Sequence, residues 1–124
     1  MSDPIQVVNL EQKFALFDDL WSPKIAGELN ESHIKLAKIK GEFVWHQHEN
    51  EDEMFLVVQG TLRIKVRGQD DLVLGPGEFA VIPKGVEHCP VAEDEVQIVM
   101  LEPKGTLNTG NVQNEHTQEE LEWI

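Results

Sequence analysis

The sequence predicts an all-β protein built as a sandwich or a barrel. Residues Leu62 to Arg67 alternate between apolar and basic side chains, which is the pattern of a half-buried strand. Turn-forming residues follow at 68–70, 75–77 and 83–85 and keep the strands between them short. Many short strands separated by turns are typical of sandwiches and barrels.

A short helix is predicted ahead of the strands. Asn9 is a residue type that caps helix N-termini, and Gln12 follows it at the third position. Leu10, Phe14 and Phe17 would share one face of this helix. We therefore expect the helix to pack on the barrel as a cover.

The other predicted strands are short and rich in β-branched and aromatic residues. They are Phe43–His48, Glu53–Val58, Leu72–Leu74, Phe79–Ile82 and Val96–Leu101. A polar C-terminal arm, residues 103–124, follows the last of them. Within the arm, Thr117 and Glu120 are predicted to begin a final helical turn, and apolar residues end the chain.

The chain of 124 residues is predicted to form one domain, residues 1–124. Its core is expected at about residues 33–102, between an N-terminal covering segment (1–32) and the C-terminal arm (103–124). The single cysteine, Cys89, precludes an intrachain disulfide. We expect it to be a buried structural thiol.

The chain is strongly acidic, since 23 Asp and Glu residues against 10 Lys and Arg give a net charge of −13. This charge repels phosphate backbones and anionic lipid, so neither nucleic acid nor a membrane is a predicted partner. Apolar runs such as Met54–Val58 are far shorter than the ~20 residues of a membrane span. No signal peptide is recognisable at the N-terminus, and we expect a cytoplasmic location.

Three histidines and one glutamate predict a mononuclear metal site. His46 and His48 are two residues apart, so on a strand both side chains point to the same face. A polar stretch lets the chain reverse and return Glu53 beside them, and His88 follows the turn at 83–85. Imidazole and carboxylate ligands together suit one divalent transition metal, namely Fe, Mn, Ni, Zn or Cu.

These residues belong to two longer motifs. The first reads Gly41, His46, His48, Glu53 and Gly60. The second reads Gly77, Pro83, Gly85, His88 and then Ala92. Both motifs resemble those of the cupin superfamily, in which asparagine is usual at the position of Ala92 and the first glycine lies one residue further from the first histidine. Neither departure touches a ligand position.

The resemblance implies a single double-stranded β-helix, or jelly-roll barrel, that holds the metal inside. It also implies that His46, His48, Glu53 and His88 are the ligands. The terminal segments would be short helices or extended chain. Thr106–Asn111 further resembles the tail of small, uncharacterised bacterial cupins, some of which are called mannose-6-phosphate-isomerase-like.

Alternation along the strands predicts other pocket residues. If Glu53 faces inward, so do Phe55 and Gln59, which are candidate substrate-pocket residues. Alternatively, Phe55 fills the core and Gln59 ends a strand in solvent. Residues expected to face outward form a large apolar surface: Phe43, Trp45, Met54, Leu56 and Val58. Soluble monomers rarely expose such a surface, so the N-terminal segment or a second subunit should cover it, and we predict a homodimer.

Four protein ligands leave up to two positions open on a six-coordinate metal, where a small oxygenated molecule can bind. One hypothesis is a metal-dependent enzyme, an isomerase, lyase or dioxygenase. Another is a non-catalytic cupin that binds or senses a small molecule. A third is a barrel that the metal only stabilises. The sequence does not decide among them.

Overall fold

A computed structural model describes residues 4–124, within which the chain forms a short helix and eight strands. The first three residues of the predicted covering segment lie outside the described residues. In chain order the elements are α1 (Leu10–Phe14), β1 (Lys24–Leu29), β2 (Ser32–Glu42), β3 (Glu53–Gln59), β4 (Leu62–Val66), β5 (Leu72–Leu74), β6 (Phe79–Ile82), β7 (His88–Pro103) and β8 (Glu122–Trp123).

The strands form one folded sheet in the order β5-β4-β7-β2-β1-β8, and β3 joins it by pairing with both β7 and β6. The pairings are antiparallel except for β1 with β8. The long strand β7 belongs to both halves, since its first residues pair with β4 and its later ones with β3. One apolar cluster takes residues from β2 through β7, so the two halves enclose it. The predicted all-β jelly-roll fold is confirmed, although the sheet does not close fully within residues 4–124.

Four predicted strands agree with the structure to within one residue at each end. They are Glu53–Val58, Leu62–Arg67, Leu72–Leu74 and Phe79–Ile82. The predicted strand Val96–Leu101 is the central part of the longer β7. Strands β1 and β2 and the first half of β7 were not predicted from the sequence.

The predicted strand Phe43–His48 is wrong. Strand β2 ends before it, and residues 43–48 are irregular apart from a bridge between His46 and His88. Both backbone polar groups of Gln47 bond instead to Asn111 of the C-terminal arm.

The predicted helical turn at the C-terminus is also wrong. Glu122–Trp123 form β8, which pairs in parallel with Lys24 and Ile25 of β1. The backbone N–H of Ile124 extends this pairing by donating to the Ile25 carbonyl at 3.0 Å. A single helical turn is unstable by itself. The edge of the sheet instead supplies backbone hydrogen-bond partners for these residues.

The predicted N-terminal helix is present as α1, but it ends at Phe14, so Phe17 lies beyond it and not on its face as predicted. The side chain of Asn9 accepts a hydrogen bond from the N–H of Gln12 at 2.9 Å and so caps the helix. Phe14 and Phe17 are buried in a second apolar cluster with residues of the sheet. No helix within residues 4–124 is long and apolar enough to cross a membrane.

The N-terminal segment covers part of the apolar surface that was expected outside the barrel. Leu56 and Val58 pack against the cluster that contains Phe14 and Phe17. The outward orientation predicted for Phe43 is wrong, because its ring stacks on that of Trp21 at a centroid distance of 4.5 Å. The strand alternation behind that prediction does not apply to an irregular segment.

Candidate metal centre

Four side chains with metal-ligating atoms meet inside the fold: His46, His48, Glu53 and His88. Each is at most 3% exposed, and one nitrogen or oxygen atom from each lies within 4.8 Å of all the others. Two atoms bound to one ion at about 2.1 Å are separated by roughly 3 to 4 Å, depending on the angle between them. The cluster is therefore positioned for one metal ion after a small contraction.

Backbone hydrogen bonds between the two predicted motifs bring these ligands together. His46 and His88 exchange their backbone N–H and carbonyl groups, at 3.0 and 2.9 Å. The carbonyl of His48 accepts from the N–H of Gly85 at 2.8 Å, which ties it to the turn before His88. Glu53 opens β3 opposite Ile82 of β6.

The tautomers of two histidines follow from their hydrogen bonds. Nδ1 of His46 lies 2.9 Å from the carbonyl of Val44, and Nδ1 of His88 lies 2.9 Å from the carbonyl of Val86. A carbonyl only accepts, so each Nδ1 carries the proton. In the neutral ring this leaves Nε2 with a free lone pair, which is the form that binds a metal.

The centre of the cluster contains buried polar atoms that face one another. Oε1 of Glu53 lies 3.4 Å from Nε2 of His48 and 3.5 Å from Nε2 of His88. These three atoms are buried and have no hydrogen-bond partner among the described residues. Buried polar atoms are nearly always paired, so a carboxylate oxygen facing a neutral imidazole nitrogen needs a cation or a proton between them. The residues present fit a bound metal.

Sequence reasoning missed a buried hydrogen bond between a lysine and a carboxyl group behind Glu53. Nζ of Lys35 lies 2.7 Å from Oε1 of Glu102, and both residues are 2% exposed. The Lys35 ammonium is also 3.4 Å from the carbonyl of Thr106. Lys35 and Glu102 lie 67 residues apart and become neighbours through the pairing of β2 with β7. No short-range spacing in the sequence indicates this pair.

The two buried glutamates differ in pKa. Burial, and then the negative charge of Glu53, raise the pKa of Glu102 well above its ordinary value, although Lys35 opposes them. Burial alone would raise the pKa of Glu53, but interactions with Glu102, His48 and His88 hold it well below its usual range. Any proton that this pair holds in the metal-free protein therefore resides on Glu102, which leaves Glu53 ionised and ready to act as a ligand.

A small cavity of about 40 Å³ adjoins the cluster. That volume holds roughly three water molecules. Its polar lining groups are His46, Glu53, Glu102 and Asn108, and its other walls are apolar. A small ligand bound at an open metal position that faces this cavity would be surrounded mainly by apolar side chains.

The structure places the two predicted pocket residues differently. Phe55 is 4% exposed, belongs to the main apolar cluster and lines the cavity. Gln59 lies at the end of β3, is exposed, and is not among the described residues that line the cavity. Cys89 is buried, and its pKa is raised to about 11 by burial and then by Glu42, so it is not a reactive thiol.

We expect the metal-free protein to lose stability as the pH falls from about 6.5 towards 4. Burial, and then the proximity of His88, lower the pKa of His46 from 6.5 to about 4. Between these pH values His46 is protonated in the unfolded chain but neutral in the folded chain. This difference favours unfolding by up to about 3 kcal/mol. Urea unfolding after chelation, at pH 7.5 and 4.5, measures the loss. The variant His46→Gln should show a smaller loss, and an equal loss in both proteins would contradict the assignment to His46.

Comparison with known proteins agrees with this architecture. A jelly roll that buries three imidazoles and a carboxylate around one point defines a β protein with a candidate metal site. A family model described as a cupin domain matches residues 33–103. The chain belongs to the cupin family.

Several relatives are similar over different shares of the chain. A cupin-2 domain containing protein from Shewanella frigidimarina is 49% identical with a TM-score of 0.77, over 79% of this chain and 95% of that one. Protein NMB1881 from Neisseria meningitidis is 28% identical with a TM-score of 0.73, over 80% and 100%. The uncharacterized protein YdbB of Bacillus subtilis (strain 168) is 38% identical over 61 residues, which are 49% of this chain and 54% of YdbB. The match therefore spans about half the length of that curated relative.

Proposed function

We propose that this cupin binds one divalent transition metal through His46, His48, Glu53 and His88 and uses it to bind a small oxygenated molecule. The observation that carries the proposal is a set of three buried polar atoms that face one another without hydrogen-bond partners among residues 4–124, namely His48 Nε2, His88 Nε2 and Glu53 Oε1. When bound, the metal supplies a Lewis acid with open coordination positions. Fe, Mn, Ni, Zn and Cu all suit this ligand set.

The surrounding residues give the proposed site its selectivity. The cavity is small and largely apolar, so it favours a small ligand whose oxygen atoms reach the metal. Glu102, which holds any proton of the glutamate pair, lies in the same wall and when protonated can donate a hydrogen bond to Glu53 or to an oxygen of the ligand. Isomerase, lyase and dioxygenase chemistry all begin with such a ligand on the metal.

The second candidate function is a non-catalytic binding or sensing cupin. The polar lining of the cavity favours it, because apart from the proposed ligands His46 and Glu53 it offers only Glu102 and Asn108 for chemistry. Thermal stabilisation by small hydroxy or keto acids without any product would support this alternative. Metal-dependent conversion of such a compound would support the enzyme.

Metal binding itself is tested by titrating chelator-treated protein with Co²⁺. We expect one ion per chain, with a visible absorption band, and loss of both in His48→Ala. Elemental analysis of the purified protein then identifies the native ion. Wild-type protein that binds no Co²⁺, Zn²⁺, Mn²⁺ or Fe²⁺ at neutral pH would overturn the proposal.

We also propose a cytoplasmic homodimer. Support for the dimer comes from apolar side chains that are more than half exposed on β5 and β6, namely Val73, Phe79 and Val81. A sedimentation mass equal to one chain of 14.1 kDa at micromolar protein would contradict it.

A further inference from the structure

The C-terminal arm contacts the backbone between two of the proposed ligands. Gln47 separates His46 from His48, and its N–H donates to Oδ1 of Asn111 at 2.9 Å. Its carbonyl accepts from the backbone N–H of Asn111 at 3.0 Å. Because residues 43–48 lie outside the regular strands, Asn111 takes the place of a strand neighbour for this segment.

The approach of the arm requires a glycine. Gly110 has φ +56, and a Cβ atom built on it would overlap the carbonyl oxygen of Gln47 and lie 3.1 Å from Cδ2 of His46. A larger residue would therefore push the arm away from the ligand segment. Gly105, also in the arm, has φ +84, but a Cβ atom at that position would meet nothing within 4 Å among the described residues. The two glycines therefore differ in their surroundings, because only Gly110 lies close to the backbone of Gln47.

Internal hydrogen bonds brace the part of the arm that makes these contacts. Asn108 donates through Nδ2 to the carbonyl of His116 at 2.7 Å and accepts from the N–H of Gln118 at 2.8 Å. The hydroxyl groups of Thr109 and Thr117 are 2.7 Å apart, and Thr109 is fully buried. The arm therefore presents Gly110 and Asn111 from a fixed loop.

We infer that Gly110 and Asn111 are positioning residues of the metal centre, which hold the His46–His48 segment so that both imidazoles reach one ion. This inference rests on the proposed metal site. It extends the site beyond the family motif region, since the cupin domain match ends at residue 103. Residues that orient metal ligands from behind typically change metal affinity by about 10- to 100-fold when they are replaced.

The experiment measures Co²⁺ affinity and the visible spectrum of the Co²⁺ form in matched pairs of variants. Asn111→Ala removes the acceptor for Gln47, whereas Asn111→Asp keeps an acceptor oxygen. Asn114→Ala is the control, because Asn114 is also exposed and its Oδ1 bonds only within the arm, to the N–H of His116. Gly110→Ala is paired with Gly105→Ala, which adds the same methyl group at a positive φ without the overlap.

We expect Asn111→Ala to weaken Co²⁺ binding about tenfold and to shift the absorption band, and Gly110→Ala to do so at least as strongly. Asn111→Asp, Asn114→Ala and Gly105→Ala should retain the wild-type band and affinity within about threefold. Circular dichroism of the metal-free variants monitors folding, and Asn111→Ala decides the question if Gly110→Ala does not fold. If Asn111→Ala binds Co²⁺ as tightly as the wild-type chain, or if the control variants weaken binding equally, this inference is wrong. The proposed metal site would remain. Absence of binding by the wild-type chain would overturn the metal proposal and this inference with it.

Discussion

Replacing Glu102 with leucine is expected to lower the free energy of unfolding by about 3–5 kcal/mol, because the buried ammonium of Lys35 loses its partner. Lys35 is 2% exposed, and after the substitution its ammonium would keep only the carbonyl of Thr106 at 3.4 Å. Replacing Glu102 with glutamine should cost about 1 kcal/mol or less. Glutamine matches the protonated carboxyl in shape, still accepts from Lys35 and can still donate to Glu53.

A double-mutant cycle on Lys35 and Glu102 separates two contributions to the loss of stability. One is the loss of a hydrogen-bond partner, and the other is the change in packing. The combination Lys35→Met with Glu102→Leu removes both buried polar groups, so it should recover much of the stability that Glu102→Leu loses. Urea unfolding of the four metal-free proteins at pH 7 provides the measurement. If Glu102→Gln destabilises as much as Glu102→Leu, the assignment of the proton to Glu102 is wrong.

The same buried lysine explains why the sequence did not predict β2. This strand carries lysines at 35, 38 and 40, a spacing that resembles a polar surface segment. In the fold, however, Lys35 bonds to Glu102, and Lys38 donates to the carbonyl of Phe17 at 2.6 Å. Both lysines are buried, so in β2 the polarity of a residue does not indicate whether its side chain faces the core or the solvent. Long-range pairing determined the environment, and local alternation could not detect it.

The strands and the four site residues were predictable for a different reason. Leu62, Ile64 and Val66 are buried while Arg63 is exposed, so β4 follows the simple alternation of a half-buried strand. The four site residues lie in short motifs. The spacing of these motifs can be recognised even where the secondary structure predicted for the segment is wrong. His46 and His48 converge with Glu53 and His88 although residues 43–48 are irregular. The motif thus predicted proximity, whereas the assumption of a strand predicted the wrong local geometry.

The contribution of the arm could not be predicted from the same signals. Gly110 and Asn111 lie more than 60 residues after Gln47 in the chain, since the contact of Asn111 with Gln47 spans 64 residues. Glycine and asparagine in a polar segment are typical of any loop. Their contact with the ligand segment depends on where the end of β7 and the pairing of β8 with β1 direct the chain.

The largest expected effect on metal binding is that of Glu53→Gln. The substitution is expected to weaken metal binding by more than about 100-fold, because it removes a ligand charge and not merely a supporting contact. The fold holds the pKa of Glu53 below its usual range, so it favours the carboxylate over the neutral form. Removing that charge should therefore lower the free energy of unfolding of the metal-free protein, although the new amide group can donate to Nε2 of His88, which has no partner among residues 4–124.

Two measurements separate the loss of a metal ligand from a general loss of structure. Glu49→Gln is the matched control, since it makes the same change at an exposed position and should alter neither quantity measurably. Co²⁺ titration gives the affinity, and urea unfolding in the presence of a chelator gives the stability. If Glu53→Gln lost the metal while the metal-free protein remained folded, the carboxylate would be a ligand of the ion. If Glu53→Gln bound Co²⁺ as tightly as the wild-type chain, Glu53 would not be a ligand, and its assignment to the metal centre would be wrong.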